Sequence, residues 1–131
     1  MEKAILIDCL RLAMNGKMSF PETVKRMTET GVERYRADLI LLKKDHYAAD
    51  GETHCEPISL LNAPAVGAEF APEAVKAAIA DIQQRRIEYP EFLRRIMSAG
   101  TAEYTVFILG RKAIYTGRRG DFHVEQFPGV N

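Results

Sequence analysis

The sequence lacks several features that define whole classes of protein. It contains no tryptophan and only two cysteines in 131 residues, which is too few for a disulfide framework. Lys and Arg together number 18, as do Asp and Glu, so no excess charge favours nucleic acid or an acidic membrane as a partner. No apolar run is longer than Ala4–Ile7, and this length is far too short to span a bilayer.

The N-terminus also lacks the pattern of a secretory signal peptide. Glu2, Asp8 and Arg11 interrupt its apolar stretch, and no small-residue cleavage site follows. Because cysteine is scarce as well, we expect a reducing, cytoplasmic location and no membrane partner. Basic doublets such as Arg85-Arg86 have carboxylates nearby, so they indicate solvated surface, and nucleic-acid binding is not expected.

The composition that is present is that of a soluble globular domain. Hydrophobic residues make up 47 % of the chain and charged residues 27 %. A chain of this length buries a substantial core. We expect residues 1–131 to form a single domain.

The chain is similar to itself when it is shifted by 69 residues. Chance gives about two or three identities over such a segment. Nine are found within residues 18–57, namely Pro21, Glu22, Arg26, Gly31, Tyr35, Lys43, Gly51, His54 and Glu56. The sequence therefore predicts two repeat units, about 1–59 and 72–128, with residues 60–71 as the join.

Each unit is predicted to follow the order helix, helix, strand, turn, strand. Apolar spacing and capping signals predict helices, and alternation predicts strands. The predicted helices cover 4–14, 19–30, 72–82 and 89–99; the predicted strands cover 35–41, 53–59, 104–109, 113–115 and 122–127. Residues 45–51 are predicted as a turn, which places His46 in an exposed loop.

Together the two units predict an α+β fold with two layers. Their strands fuse into one antiparallel sheet, and the helices of the tandem helix-helix-strand-strand repeat cover one face. Such an arrangement has approximate internal two-fold symmetry. Pro57 would confine its own strand to an edge of the sheet, because proline cannot donate to a ladder.

Some segments of the second unit also carry a family resemblance. They are Ile82-Gln83-Gln84, Ala99-Gly100-Thr101, Tyr104–Phe107, Tyr115-Thr116-Gly117 and Val124–Pro128. These segments resemble the YbcV-like bacterial family of unknown function, whose members are often labelled "phage envelope protein". Phe20-Pro21 and Gly31–Tyr35 resemble the first half of that family. The resemblance implies a small cytoplasmic protein of bacterial or prophage origin, and it implies no activity, cofactor or catalytic residue.

One pair of motifs could carry metal chemistry. His54 and Glu56 align with His123 and Glu125 in the second unit. Residues i and i+2 of a strand share a face, so each unit sets an imidazole beside a carboxylate. If the two pairs converge, the set suits zinc or another divalent transition metal. The simpler interpretation is the polar side of a half-covered sheet, or two strands at opposite edges.

The two cysteines add little to this chemistry. Cys9 lies in an apolar helical pattern that is typical of a small core residue. Cys55 follows His54 directly, so on a strand the two would face opposite sides. That arrangement argues against a Cys–His nucleophile pair between them.

The sequence favours a non-enzymatic binding or interaction module that self-associates. The helix over 3–15 is apolar nearly all round, and a homodimer would bury the excess, although packing within the chain explains it equally well. The alternative is a small metal-dependent or hydrolytic enzyme that uses the paired His-x-Glu motifs. A prophage-encoded regulator of a host protein is a third hypothesis. No feature identifies a protein or small-molecule partner.

Overall fold

The computed structural model describes residues 1–128, which form four helices and six strands. The helices are α1 (Lys3–Met14), α2 (Phe20–Glu29), α3 (Pro72–Gln83) and α4 (Tyr89–Ser98). The strands are β1 (Val32–Asp38), β2 (Lys43–Ala48), β3 (Thr53–Pro57), β4 (Thr101–Phe107), β5 (Lys112–Gly117) and β6 (Phe122–Gln126). Both halves of the chain thus run helix, helix, then three strands.

All six strands form one antiparallel sheet in the order β3-β2-β1-β4-β5-β6. With the helices packed on it, this sheet confirms the predicted α+β class. β3 and β6 are the two edges, and Pro57 ends the edge strand β3. The confinement of this proline to an edge was predicted, since its ring nitrogen has no hydrogen to donate.

The two halves meet at the centre of the sheet, where β1 pairs with β4. Arg36 lies opposite Thr105, and the pairs on either side are Tyr35 with Val106 and Ala37 with Tyr104. Arg36 and Thr105 are equivalent under the 69-residue shift. The register of β1 against β4 is therefore symmetric about this pair of residues.

Positive backbone φ angles recur with the same offset. They occur at Gly16 and Arg85, Gly31 and Gly100, Leu42 and Arg111, and Gly51 and Gly120. Asn62, in the join, is the other described residue with a positive φ. The turns of the two halves therefore use the same backbone conformations at matched positions.

Local signals explain where the helices begin and end. Ser19 caps α2 through a reciprocal capping box with Glu22. Pro21, Pro72 and Pro90 lie in the first turns of their helices, where the missing N–H costs nothing. A left-handed glycine follows α2 and α4, which ends both helices.

The prediction of a turn over 45–51 is wrong for residues 45–48, because β2 occupies Lys43–Ala48, and the turn is confined to residues 49–51. Each half therefore contributes three strands, and the first half was predicted to have two. The inward positions of β2 are Lys44 and His46, both buried. Polar residues at positions that are usually apolar conceal the alternation by which a half-buried strand is recognised.

One hydrophobic core lies between the helices and one face of the sheet. It includes Leu6, Met27, Tyr35, Val75, Ile79, Leu93, Ile96, Tyr104 and Val106. In α1, Leu6, Cys9, Leu10 and Ala13 are buried within the chain, whereas Ile7 keeps 52 % of its surface exposed. Internal packing thus covers most of the apolar surface of α1.

The predicted join is a packed connection along α4. The Gly67 N–H donates to the Met97 carbonyl at 3.0 Å, and the Ala71 N–H donates to the Ala99 carbonyl at 2.8 Å. Arg94 donates to the Leu61 carbonyl at 2.8 Å. These bonds hold residues 60–71 against the end of α4.

Candidate functional site

A row of aromatic rings crosses the helix-covered face of the sheet, one ring from each strand. In strand order the rings are His54, His46, Tyr35, Tyr104, Tyr115 and His123. Successive ring centroids are 5.7, 5.8, 6.5, 5.1 and 6.4 Å apart. These distances are those of aromatic side chains in contact. Three rings of the row lie on each side of the β1–β4 pair, at matched strands, and the ring at each end is a histidine.

Four polar residues form a cluster on the inner face of β2 and β3. Lys44 lies opposite Glu56 in the strand register, and His46 lies opposite His54. Lys44 is 3 % exposed, His46 0 % and Glu56 6 %. We call these four residues the polar cluster. Burying so many polar groups together costs free energy unless each finds a partner.

His46 is the most deeply buried member of the polar cluster. Its Nδ1 lies 3.3 Å from the His54 carbonyl oxygen, and its Nε2 is buried without a hydrogen-bond partner among the described residues. Burial, and next the charge of Lys44, lower the pKa of His46 to about 4. At neutral pH the ring is therefore uncharged.

Glu56 is held by its neighbour on the same strand. Its Oε2 lies 3.5 Å from His54 Nε2, while its Oε1 is buried without a partner in residues 1–128. Burial raises the pKa of the Glu56 carboxyl, and the hydrogen bond and charge of His54 act in the opposite direction. This carboxylate thus faces His54 along β3.

Lys44 instead extends over aromatic rings. Its Nζ lies 4.9 Å from the centroid of Tyr35 and 4.8 Å from the centroid of Tyr89, which are cation–π distances. Within the described part of the chain, no carboxylate pairs with this ammonium, although Glu56 is its partner in register. The ammonium group therefore lies in the protein interior, against two ring faces.

A cavity of about 530 Å³ opens beside Lys44, between the helices and the sheet. Its walls come from the α1–α2 connection, the end of α3, the start of α4 and the strands. Aromatic side chains that line it include Phe20, Tyr35, Tyr89, Phe92, Tyr104 and Tyr115. Pockets that bind small molecules have about this volume and this apolar, aromatic character.

Three buried tyrosines of the cavity wall remain protonated. Burial raises the pKa of Tyr35, Tyr104 and Tyr115 far above the physiological range. The Tyr89 and Tyr104 hydroxyls are hydrogen-bonded to each other. The cavity wall thus carries neutral hydroxyl groups as well as ring faces.

The matched positions of the second half differ in charge. A shift of 69 residues relates Lys44 to Ala113 and His46 to Tyr115, while His54 and Glu56 keep the same residue types at His123 and Glu125. Ala113 and Tyr115 are buried and line the cavity. The buried positive charge is therefore confined to the first half.

The structure does not bring the four predicted metal ligands together. His54 and Glu56 lie on one edge strand and His123 and Glu125 on the other, with four strands between them. His123 Nε2 lies 2.9 Å from Glu125 Oε1, so each pair is closed within its own strand. Throughout residues 1–128, no group of three or more His, Cys, Asp or Glu residues is arranged to hold a metal ion.

The prediction that His46 lies in an exposed loop is wrong, because the ring is buried in β2. The burial of Lys44 was also not predicted, since two adjacent lysines usually indicate an exposed surface. One signal was available: the 69-residue shift aligns Lys43–Ala48 with 112–117, where a strand was predicted over 113–115. Cys9 is buried as predicted, and Cys55 is exposed.

Comparison with known proteins gives no match: no protein-family model fits the chain, and no curated protein matches it. The resemblance to the YbcV-like family therefore stays a prediction. None of the helices in the described residues is long and apolar enough to cross a membrane.

Proposed function

We propose that the protein is a non-enzymatic binding module whose ligand is a small, largely apolar molecule. One observation carries this proposal: the cavity of about 530 Å³ between the helices and the aromatic face of the sheet. Ring faces supply apolar contact at a low cost in side-chain entropy, and tyrosine hydroxyls orient a ligand.

The contents of the cavity wall favour binding over catalysis. Burial raises the pKa of the Tyr35, Tyr104 and Tyr115 hydroxyls, so these groups hold their protons. Neither Cys9 nor Cys55 lines the cavity, and burial raises the pKa of the Cys9 thiol. The wall therefore offers surfaces and hydrogen bonds, whereas an activated nucleophile would need a lowered pKa or an adjacent base.

A variant that fills the cavity tests this function. Ala113 lines the cavity on β5, and the matched position in the first half already holds the long side chain of Lys44. Ala113→Met should therefore fold and occupy part of the cavity. We expect it to weaken binding of the neutral probes 2-naphthylmethanol and 1-dodecanol at least tenfold, about 1.4 kcal/mol, as measured by calorimetric titration.

Lys112→Met is the matched control, because it places the same side chain one residue earlier on β5, outside the cavity lining. It should bind both probes within about twofold of the wild type. Failure of the wild-type protein to bind either probe saturably, or equal affinity in both variants, would overturn the proposed function.

Self-association through the helix over 3–15, a cytoplasmic location and a bacterial or prophage origin are parts of the same proposal. The apolar Ile7, 52 % exposed on α1, supports the contact between two copies. The other face of α1 is buried within the chain. Less apolar surface is therefore left for a contact between two copies than was expected from the sequence. A dimer in a native mass spectrum that is lost in Ile7→Ser would support it, and a monomeric wild type at micromolar concentration would contradict it.

A further inference from the structure

Building on the proposed function, we infer that the ligand carries an anionic group, and that the Lys44 ammonium binds this group inside the cavity. The first reason is the burial of Lys44. An ammonium group taken out of water loses hydration, and ring faces replace only part of it. With 3 % of the residue exposed and two rings at 4.8 and 4.9 Å from Nζ, an ionic partner is the missing component.

The carboxylate opposite Lys44 in the strand register forms no ion pair with it. Glu56 lies opposite Lys44 in the register, but its Oε2 lies 3.5 Å from His54 Nε2. Lys44 lines the cavity and Glu56 does not. The lysine is therefore directed toward the space where a ligand would lie, and the glutamate is directed along its own strand.

A second hydrogen-bond donor lies near the ammonium. The Tyr89 and Tyr104 hydroxyls bond to each other, and such a pair carries two protons of which only one lies between the oxygens. The other proton is free to be donated to a ligand oxygen. The ring of Tyr89 is one of the two rings against Lys44 Nζ, so an anionic group bound at Nζ would lie on the same side of the cavity as this donor.

The other acidic side chains around the cavity do not oppose an anion at this position. Glu22 and Glu88 are exposed, and Glu22 is held in the capping box of α2. Glu125 lies 2.9 Å from His123 Nε2 at the far edge of the sheet. Since the position matched to Lys44 is Ala113, the cavity offers one buried charge, and a ligand with one anionic end would bind in one orientation.

Matched acid and alcohol probes test this inference. We would titrate 2-naphthoate against 2-naphthylmethanol, and dodecanoate against 1-dodecanol, into the full chain by calorimetry. In the wild type each acid should bind at least tenfold more tightly than its alcohol. Lys44→Met should lower acid affinity at least tenfold and change alcohol affinity less than twofold, and Lys44→Arg should keep most of the preference.

Lys43→Met is the control, because Lys43 lies one residue before Lys44 on β2 and outside the cavity lining, and its loss should leave the preference for acids unchanged. If Lys44→Met does not fold, as judged by circular dichroism, Lys44→Gln replaces it, since the amide is neutral but still a donor.

The outcomes separate the two proposals. Alcohols that bind as tightly as acids, or an acid preference that survives the loss of the Lys44 charge, would overturn the anionic group and leave the proposed function intact. If neither the acids nor the alcohols bind, the proposed function fails, and this inference fails with it.

Discussion

His46 shows how much one position can differ between two similar halves. Its matched residue is Tyr115, and both rings belong to the aromatic row. A tyrosine in this environment keeps its proton at all physiological pH values. A histidine has an ordinary pKa of 6.5, and burial lowers it to about 4, so it binds a proton more readily in the unfolded chain.

This difference makes the stability of the protein depend on pH. Between pH 6.5 and 4 the unfolded chain protonates His46 and the folded protein does not, so stability falls as the pH falls through that window. His46→Phe removes the effect. When the pH is lowered from 7.5 to 5, the unfolding free energy of the wild type should fall by about 2 kcal/mol more than that of the variant. Urea unfolding of both proteins at the two pH values measures this difference.

The neighbouring titratable groups define the control for this experiment. Lys44, His54 and Asp45 all act on the His46 ring. The raised pKa of Glu56 has the opposite sign, because a carboxyl that protonates more easily in the folded state stabilises it as the pH falls. His123→Phe, at the other edge, leaves this group of charges in place. An equal pH response in both variants would contradict the assignment to His46.

At the scale of elements, two equivalent glycines allow the cost of a left-handed backbone conformation to be measured separately from the cost of a steric clash. Gly31 follows α2 with φ +85°, and Gly100 follows α4 with φ +94°. A Cβ at Gly31 would meet nothing within 4 Å, whereas a Cβ at Gly100 would lie 2.1 Å from the Glu69 carbonyl oxygen. The second contact is with the backbone of the join, which cannot move aside without losing its bonds to α4.

We therefore expect two different costs for the same substitution. Gly31→Ala should lower the free energy of unfolding by about 1 to 2 kcal/mol, the cost of a left-handed L-residue. Gly100→Ala should lower it by at least about 2 kcal/mol more, because the join must be displaced. Chemical denaturation of the two variants measures the difference, and equal costs would show that the join does not constrain α4.

The helices and strands also show which sequence signals are sufficient to predict an element. All four helices were predicted, because capping residues, first-turn prolines and apolar spacing act locally. β2 was not, since Lys44 and His46 stand where apolar residues are expected. The cavity and the buried ammonium could not be predicted, because they depend on which strands become neighbours and on which rings then cover Lys44.

For the whole molecule, the order of the strands decides how the two His-x-Glu pairs are placed. Equivalent strands of two halves that meet at β1 and β4 must lie at equal distances from the centre, so β3 and β6 become the two edges. The sequence identified the pairs and their equivalence. It did not determine whether the central contact would be made by the first strand or the last strand of each half.

This placement predicts the metal content of the purified chain. We expect a native mass spectrum, recorded without chelator, to show no stoichiometric zinc, because no single ion can bind both edges of one sheet. One zinc per chain, lost on combining His54→Ala with His123→Ala, would contradict this expectation and restore the metal-dependent enzyme as the better hypothesis.

The reciprocal pairing of β1 with β4 also has a consequence for the nascent chain. Ribosomal synthesis runs from the N-terminus, so β1 emerges before β4 and keeps one edge open until residue 107 has been made. An open strand edge recruits other chains unless charge opposes it. Arg34, Arg36 and Asp38 alternate along β1, and we expect their charges to oppose pairing with other chains until the second half has been made.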